Sequence, residues 1–80
     1  MHGGLSPELT TIEDINKIDR CIEPPLQGFS CDLHWPDPCG DKEARNLKFA
    51  QNIEREGSFK FGLEPVKQIL KKNNFLSIIR

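Results

Sequence analysis

At 80 residues the chain can form one small domain at most, and a chain of that size buries only about 60% of its unfolded surface on folding. Eleven basic and twelve acidic residues leave a formal charge of −1, so no global field draws in nucleic acid or an anionic membrane. Hydrophobic residues make up 36% in short runs, which excludes a membrane span, and Met1-His2-Gly3-Gly4 lacks the basic and greasy regions of a signal peptide. Three cysteines, Cys21, Cys31 and Cys39, are an odd number at irregular spacing, which fits reduced thiols and a cytoplasmic location.

In chain order, Thr10 and Thr11 precede Ile12, Ile15 and Ile18, whose spacing of three predicts a helix over 11–20. Thr10 with Glu13, or Thr11 with Asp14, forms a capping-box pattern at its start. Pro24-Pro25 bars any continuation. From Gly28 to Gly40 a short apolar piece, too short to assign to helix or strand, runs into the turn formers Pro36-Asp37-Pro38-Cys39-Gly40. Residues 41–56 are mostly polar and read as a mobile surface connection with one helical turn.

Alternation over 57–62 predicts a short strand. A second helix follows, with Glu64 and Pro65 in its first turn and Val66, Ile69 and Leu70 as its buried stripe. Lys67, Lys71 and Lys72 form its wet face, and Asn73-Asn74 stop it. Phe75 to Ile79 then reads as a buried strand, with Arg80 immediately after it. The pattern is α/β. It reads as incomplete at both ends, with the opening residues placed like the exit of a strand.

Several residues are candidates for chemistry, each with a plainer alternative. His2 before two glycines suits a loop that passes close to a metal or anion, or is a solvated terminal residue. Cys31, His34 and Cys39 are zinc-ligand types, although only Cys31 and His34 have the usual paired spacing, so inert thiols are the better reading. Trp35 sits on a proline-stiffened turn, as a ligand-facing ring or as a core anchor. Arg80 at the end of an apolar strand matches where open α/β sheets bind ligands, and its guanidinium matches phosphate; the alternative is an exposed charge.

Together the segments resemble the phosphoprotein phosphatase family, the metal-dependent serine/threonine protein phosphatases. His2-Gly3-Gly4-Leu5-Ser6-Pro7 is similar to the family's H-G-G-L/I-S-P, and Cys31 to Pro38 is similar to its C-D-L-L-W-S-D-P. Arg55 to Gly62 resembles its R-G-x-S-F-x-F-G. Ile12 to Arg20, Glu23-Pro24-Pro25 and Asn73 to Arg80 resemble the calcineurin type. Pro36 stands where the family has serine, His34 where it usually has leucine or isoleucine, and Glu56 where it has glycine, which puts a positive-φ backbone position in question.

The resemblance implies that residues 1–80 are a central to C-terminal part of a catalytic domain built on a metallophosphatase β-sandwich flanked by helices. It implies two metal ions, iron and zinc or manganese, and hydrolysis of phosphoserine or phosphothreonine by a metal-bridging hydroxide. His2 matches a metal-ligating histidine, Arg80 a phosphate-gripping arginine and Trp35 a tryptophan bordering the substrate groove. Most metal ligands fall outside this stretch, so the chain alone is expected to be inactive. The partners implied are phosphoprotein substrates, with calcineurin B and calmodulin binding outside this chain. The competing expectation is a non-catalytic fragment that binds a regulator or substrate peptide through the Trp35 surface.

Overall fold

The computed structural model describes residues 1–40, 42 and 46–80. Helix α1 is Ile12–Asn16, shorter than the expected 11–20. Its start follows the second capping alternative: the Asp14 carboxylate accepts the Thr11 amide at 2.9 Å, and also the Thr10 amide at 3.0 Å and hydroxyl at 2.7 Å. Its end comes early because a spacing of three drifts around a helix of 3.6 residues per turn. Ile12 is consequently exposed, while Ile15 packs against the core, and the Ile18 amide turns back to the Ile15 carbonyl.

A second short helix, α2, spans Phe29–Asp32, within the apolar piece too short to assign from its pattern. Gly28 at its N-cap has φ of 91°, a conformation open to glycine because it lacks Cβ. The His34 and Trp35 amides both donate to the Cys31 carbonyl and close the helix.

Three strands form a mixed sheet in the order β1-β3-β2, with β1 Asp37–Pro38, β2 Phe49–Gln51 and β3 Phe59–Phe61. Strand β3 is the expected strand of 57–62 and takes the centre. It pairs parallel with β1, Asp37 opposite Lys60, and antiparallel with β2, Ala50 opposite Lys60. The expected mobile connection of 41–56 lies partly outside the described residues. Its described part contains β2 and a 3-10 turn, Ile53–Arg55. The edge-on pair Phe49 and Phe59, centroids 6.1 Å apart, joins β2 to β3.

Helix α3, Leu63–Asn73, agrees with the sequence. Val66 and Ile69 pack toward the core, the three lysines stay exposed, and Asn74 caps in the left-handed region at φ of 55°. Asn73 ties the end of α3 to the start of α1, donating to the Thr10 carbonyl at 3.0 Å and accepting the Ile12 amide at 3.3 Å.

The expected buried strand of Phe75 to Ile79 does not form. These residues have no strand pairing, and Phe75, Leu76 and Ile79 are exposed; Ile78 alone packs against the core. An apolar run becomes a strand only where a neighbouring edge accepts its backbone groups, and no described strand pairs with this one. The core itself is small, with Leu5, Leu9 and Phe61 at its centre. No helix among the described residues is long and apolar enough to cross a membrane.

Candidate functional site

The opening segment is held against the turn after α2. The Gly3 amide donates to the Leu33 carbonyl at 3.0 Å, and Nδ1 of His2 lies 3.1 Å from the His34 carbonyl. A carbonyl oxygen can only accept, so Nδ1 is the donor in this contact and Nε2 is the ring nitrogen left outside it. This is how a metal-ligating imidazole is normally oriented.

The two glycines act by close approach rather than by backbone freedom. Neither has positive φ. A Cβ on Gly3 would meet the main chain of Leu33 and His34 at 2.5–2.8 Å, and one on Gly4 would fall on the buried Phe61 ring.

Arg80 closes the same cluster from the far end of the sequence. Its Nε donates to the Gly3 carbonyl at 3.0 Å, and Nη2 reaches the Pro36 carbonyl and Asp37 Oδ1, each at 3.4 Å. No buried strand precedes it, contrary to expectation; main-chain carbonyls hold the guanidinium instead. Nη1 has no protein partner among the described residues.

Trp35 is 47% exposed, so it is no core anchor, and the Arg55 guanidinium lies 5.9 Å from its ring centroid. Arg55 also donates through Nε to Asp37 Oδ2 at 3.0 Å. His2, Trp35 and Arg80 therefore meet around one backbone stretch, 33–37. A separate cleft of about 700 Å³, lined by Pro7, Leu26, Gln51, Ser58 and Phe59 among others, involves none of the three.

Two carboxylates that sequence reasoning passed over organise this region. Asp32, 2% exposed, accepts the Ser6 hydroxyl at 2.6 Å and the Ser58 hydroxyl at 2.7 Å, binding three motif segments into one buried knot. Asp37 accepts from Arg55, from Asn52 Nδ2 at 3.1 Å and from Arg80. The Arg55 hydrogen bond, with smaller help from Asn52 and Arg80 against a burial penalty, holds its carboxyl below the ordinary range. The one available signal was an acidic residue clamped between Pro36 and Pro38. Asn52 is fully buried, and its Oδ1 has no hydrogen-bond partner among the described residues.

Cys31, His34 and Cys39 do not assemble a zinc site. Among the described residues no three His, Cys, Asp or Glu side chains are grouped to hold a metal. Nδ1 of His34 is engaged with the Ser30 carbonyl at 2.7 Å, and burial with the adjacent Asp32 charge pushes the Cys31 thiol up, away from the thiolate that zinc requires. The grouped side chains of the described residues thus do not by themselves fit a metal centre.

Two curated proteins of Saccharomyces cerevisiae match across the whole chain. The serine/threonine-protein phosphatase 2B catalytic subunit A1 is 43% identical over 89 residues, covering 100% of this chain and 16% of the yeast protein. The serine/threonine-protein phosphatase 4 catalytic subunit is 44% identical over 80 residues, covering 100% of this chain and 24% of that protein. No family model matches the chain. The chain spans less than a third of the length of either relative, yet the matches include every segment that forms the cluster around residues 33–37. Over its own whole length the chain is therefore similar to the catalytic subunits of serine/threonine-protein phosphatases.

Proposed function

We propose that this chain works as the central to C-terminal part of the catalytic domain of a protein serine/threonine phosphatase, acting on phosphoserine and phosphothreonine proteins. The observation that carries the proposal is the convergence of His2, Trp35 and Arg80 on the backbone of residues 33–37, made by the Gly3, His34 and Pro36 contacts. In the complete domain two metal ions, iron and zinc or manganese, would supply Lewis-acid activation of water. Because this chain fits only one ligand position, no step is assigned through them.

His2, Arg80 and Trp35 each have their own task in this reading. His2, with Nδ1 tied to the His34 carbonyl, offers Nε2 to one metal. Arg80 offers its unengaged edge to the phosphate oxygens through charge-assisted hydrogen bonds. Trp35 borders the path of the peptide. A metallophosphatase sandwich would include the three-stranded sheet as one portion. Calcineurin B and calmodulin, the partners of the calcineurin type, would bind outside residues 1–80, and the chain alone would not turn over substrate.

Kinetics on a phosphopeptide test the proposal in a catalytic domain that contains this segment. Arg80→Ala should lower kcat/KM by about 10²–10³-fold, the usual loss of one preorganised charge-stabilising donor. Arg80→Lys should recover only part of it, since an ammonium lacks the planar fork. Metal content should be unchanged in both. Wild-type kcat/KM in the alanine variant would return Arg80 to an ordinary surface charge.

A further inference from the structure

We propose that the cleft of about 700 Å³ between residues 26–28 and 56–59 is a docking site for an extended peptide of a partner protein, one that carries a lysine or arginine beside an apolar side chain. None of His2, Trp35 and Arg80 lines this cleft, so the inference does not rest on the roles proposed for them.

Its volume falls in the range of about 300–1,000 Å³ usual for ligand sites. Leu26, 89% exposed, and the partly buried Phe59 give it apolar walls. An apolar side chain left this bare gains when another covers it. The walls meet at Gly57, where a Cβ would come within 3.3 Å of the Leu26 carbonyl. Of the four residues with positive φ among the described residues, Gly28, Glu56 and Ser58 line the cleft. Ser58 is pinned in that conformation by its hydroxyl, which donates to Asp32 at 2.7 Å, so the shape is set before a ligand arrives.

Charge identifies the occupant. Glu8, Asp32 and Glu56 line the cleft, and no lysine, arginine or histidine does. Asp32, 2% exposed, is held only by the neutral hydroxyls of Ser6 and Ser58, and none of the three carboxylates makes an ion pair among the described residues. A carboxylate this deep without a cation is costly, so a cation that enters the cleft is drawn by all three. The carboxylates are not grouped to hold a metal ion, and the apolar walls beside them suit the stem of a lysine or arginine. Peptide main chain also finds partners here: β2 is an edge of the sheet, and its last residue, Gln51, lines the cleft together with Gln27.

The probe is an acetylated and amidated peptide of three Lys-Leu repeats, titrated into the 15N-labelled 80-residue chain. The amide signals of Gly28, Gly57 and Ser58 should shift, and those of α3 should not. Glu8→Gln and Glu56→Gln should each weaken binding about threefold, the size of one partly exposed ion pair, and the double variant about tenfold. Leu26→Ser should weaken it about tenfold through lost apolar cover. Glu13→Gln, which removes the same charge from α1 outside the cleft, should leave it unchanged.

Equal weakening by Glu13→Gln and Glu56→Gln would mean attraction to net charge alone and overturn the proposal. So would shifts that miss residues 28, 57 and 58, or a peptide with glutamine in place of lysine that binds as tightly. Lysine amide binding as well as the peptide would make the cleft a small-amine site, and the same shifts on raising the chain's concentration alone would make the occupant a second copy; either result defeats the peptide assignment.

Discussion

Glu56 poses the sharpest question at the level of single residues, because the resemblance places a glycine there. The backbone answers it directly: Glu56 adopts the left-handed region at φ of 55°, and Ser58 does so at 62°. The conformation that favours glycine is therefore kept, with a glutamate in it. For an L-residue the left-handed region costs roughly 1–2 kcal/mol, part of which glycine gives back through its greater freedom in the unfolded chain. Glu56→Gly should therefore stabilise the chain by about 0.5–1 kcal/mol, seen as a higher urea midpoint at unchanged slope. A lower midpoint would mean that Glu56 makes a compensating interaction that its backbone does not reveal.

Secondary-structure elements differ in how far the sequence announces them. Helix α3 and the Asp14 cap of α1 are local: periodicity, capping residues and stop signals lie within a few positions of one another, so they are legible. Strands β1 and β2 are two and three residues long and exist only through pairing with β3, which no local pattern encodes. The same limit explains the error at Phe75 to Ile79, where apolar residues gave a strand signal and pairing did not follow. At the site, motif resemblance brought out His2, Trp35 and Arg80, while Asp32 and Asp37 read as turn residues because their partners are distant in sequence. Leu76 separates the two views of the last segment. It is 101% exposed, so Leu76→Ser should change stability by no more than about 0.5 kcal/mol in chemical denaturation. A buried strand position would instead lose about 2–5 kcal/mol on such a truncation.

Taken whole, the molecule exposes 6043 Å², against about 4,900 Å² expected for a folded monomer of 9.1 kDa. Few buried apolar side chains are left to offset chain entropy, and cores of this size supply no more than about 3–5 kcal/mol. With so thin a margin, two acidic networks weigh heavily. The Asp14 carboxyl is drawn down to about 2, first by the Thr11 amide and then by the Thr10 hydroxyl and amide, and Asp37 is lowered chiefly by the Arg55 hydrogen bond.

Both groups have folded-state values below their unfolded ones. Their contribution is therefore fully present above the unfolded carboxylate range, near about 3.9, and is lost as pH falls through the folded values. Urea midpoints should be flat from about pH 7 to 5 and fall steadily below about pH 4. Asp14→Asn, which cannot ionise, should flatten the fall and lower the neutral-pH midpoint. Asp37→Asn should do likewise through the Arg55 and Arg80 contacts. A midpoint that rises on acidification, or an acid limb unaltered by both substitutions, would show that neither carboxylate network contributes to stability.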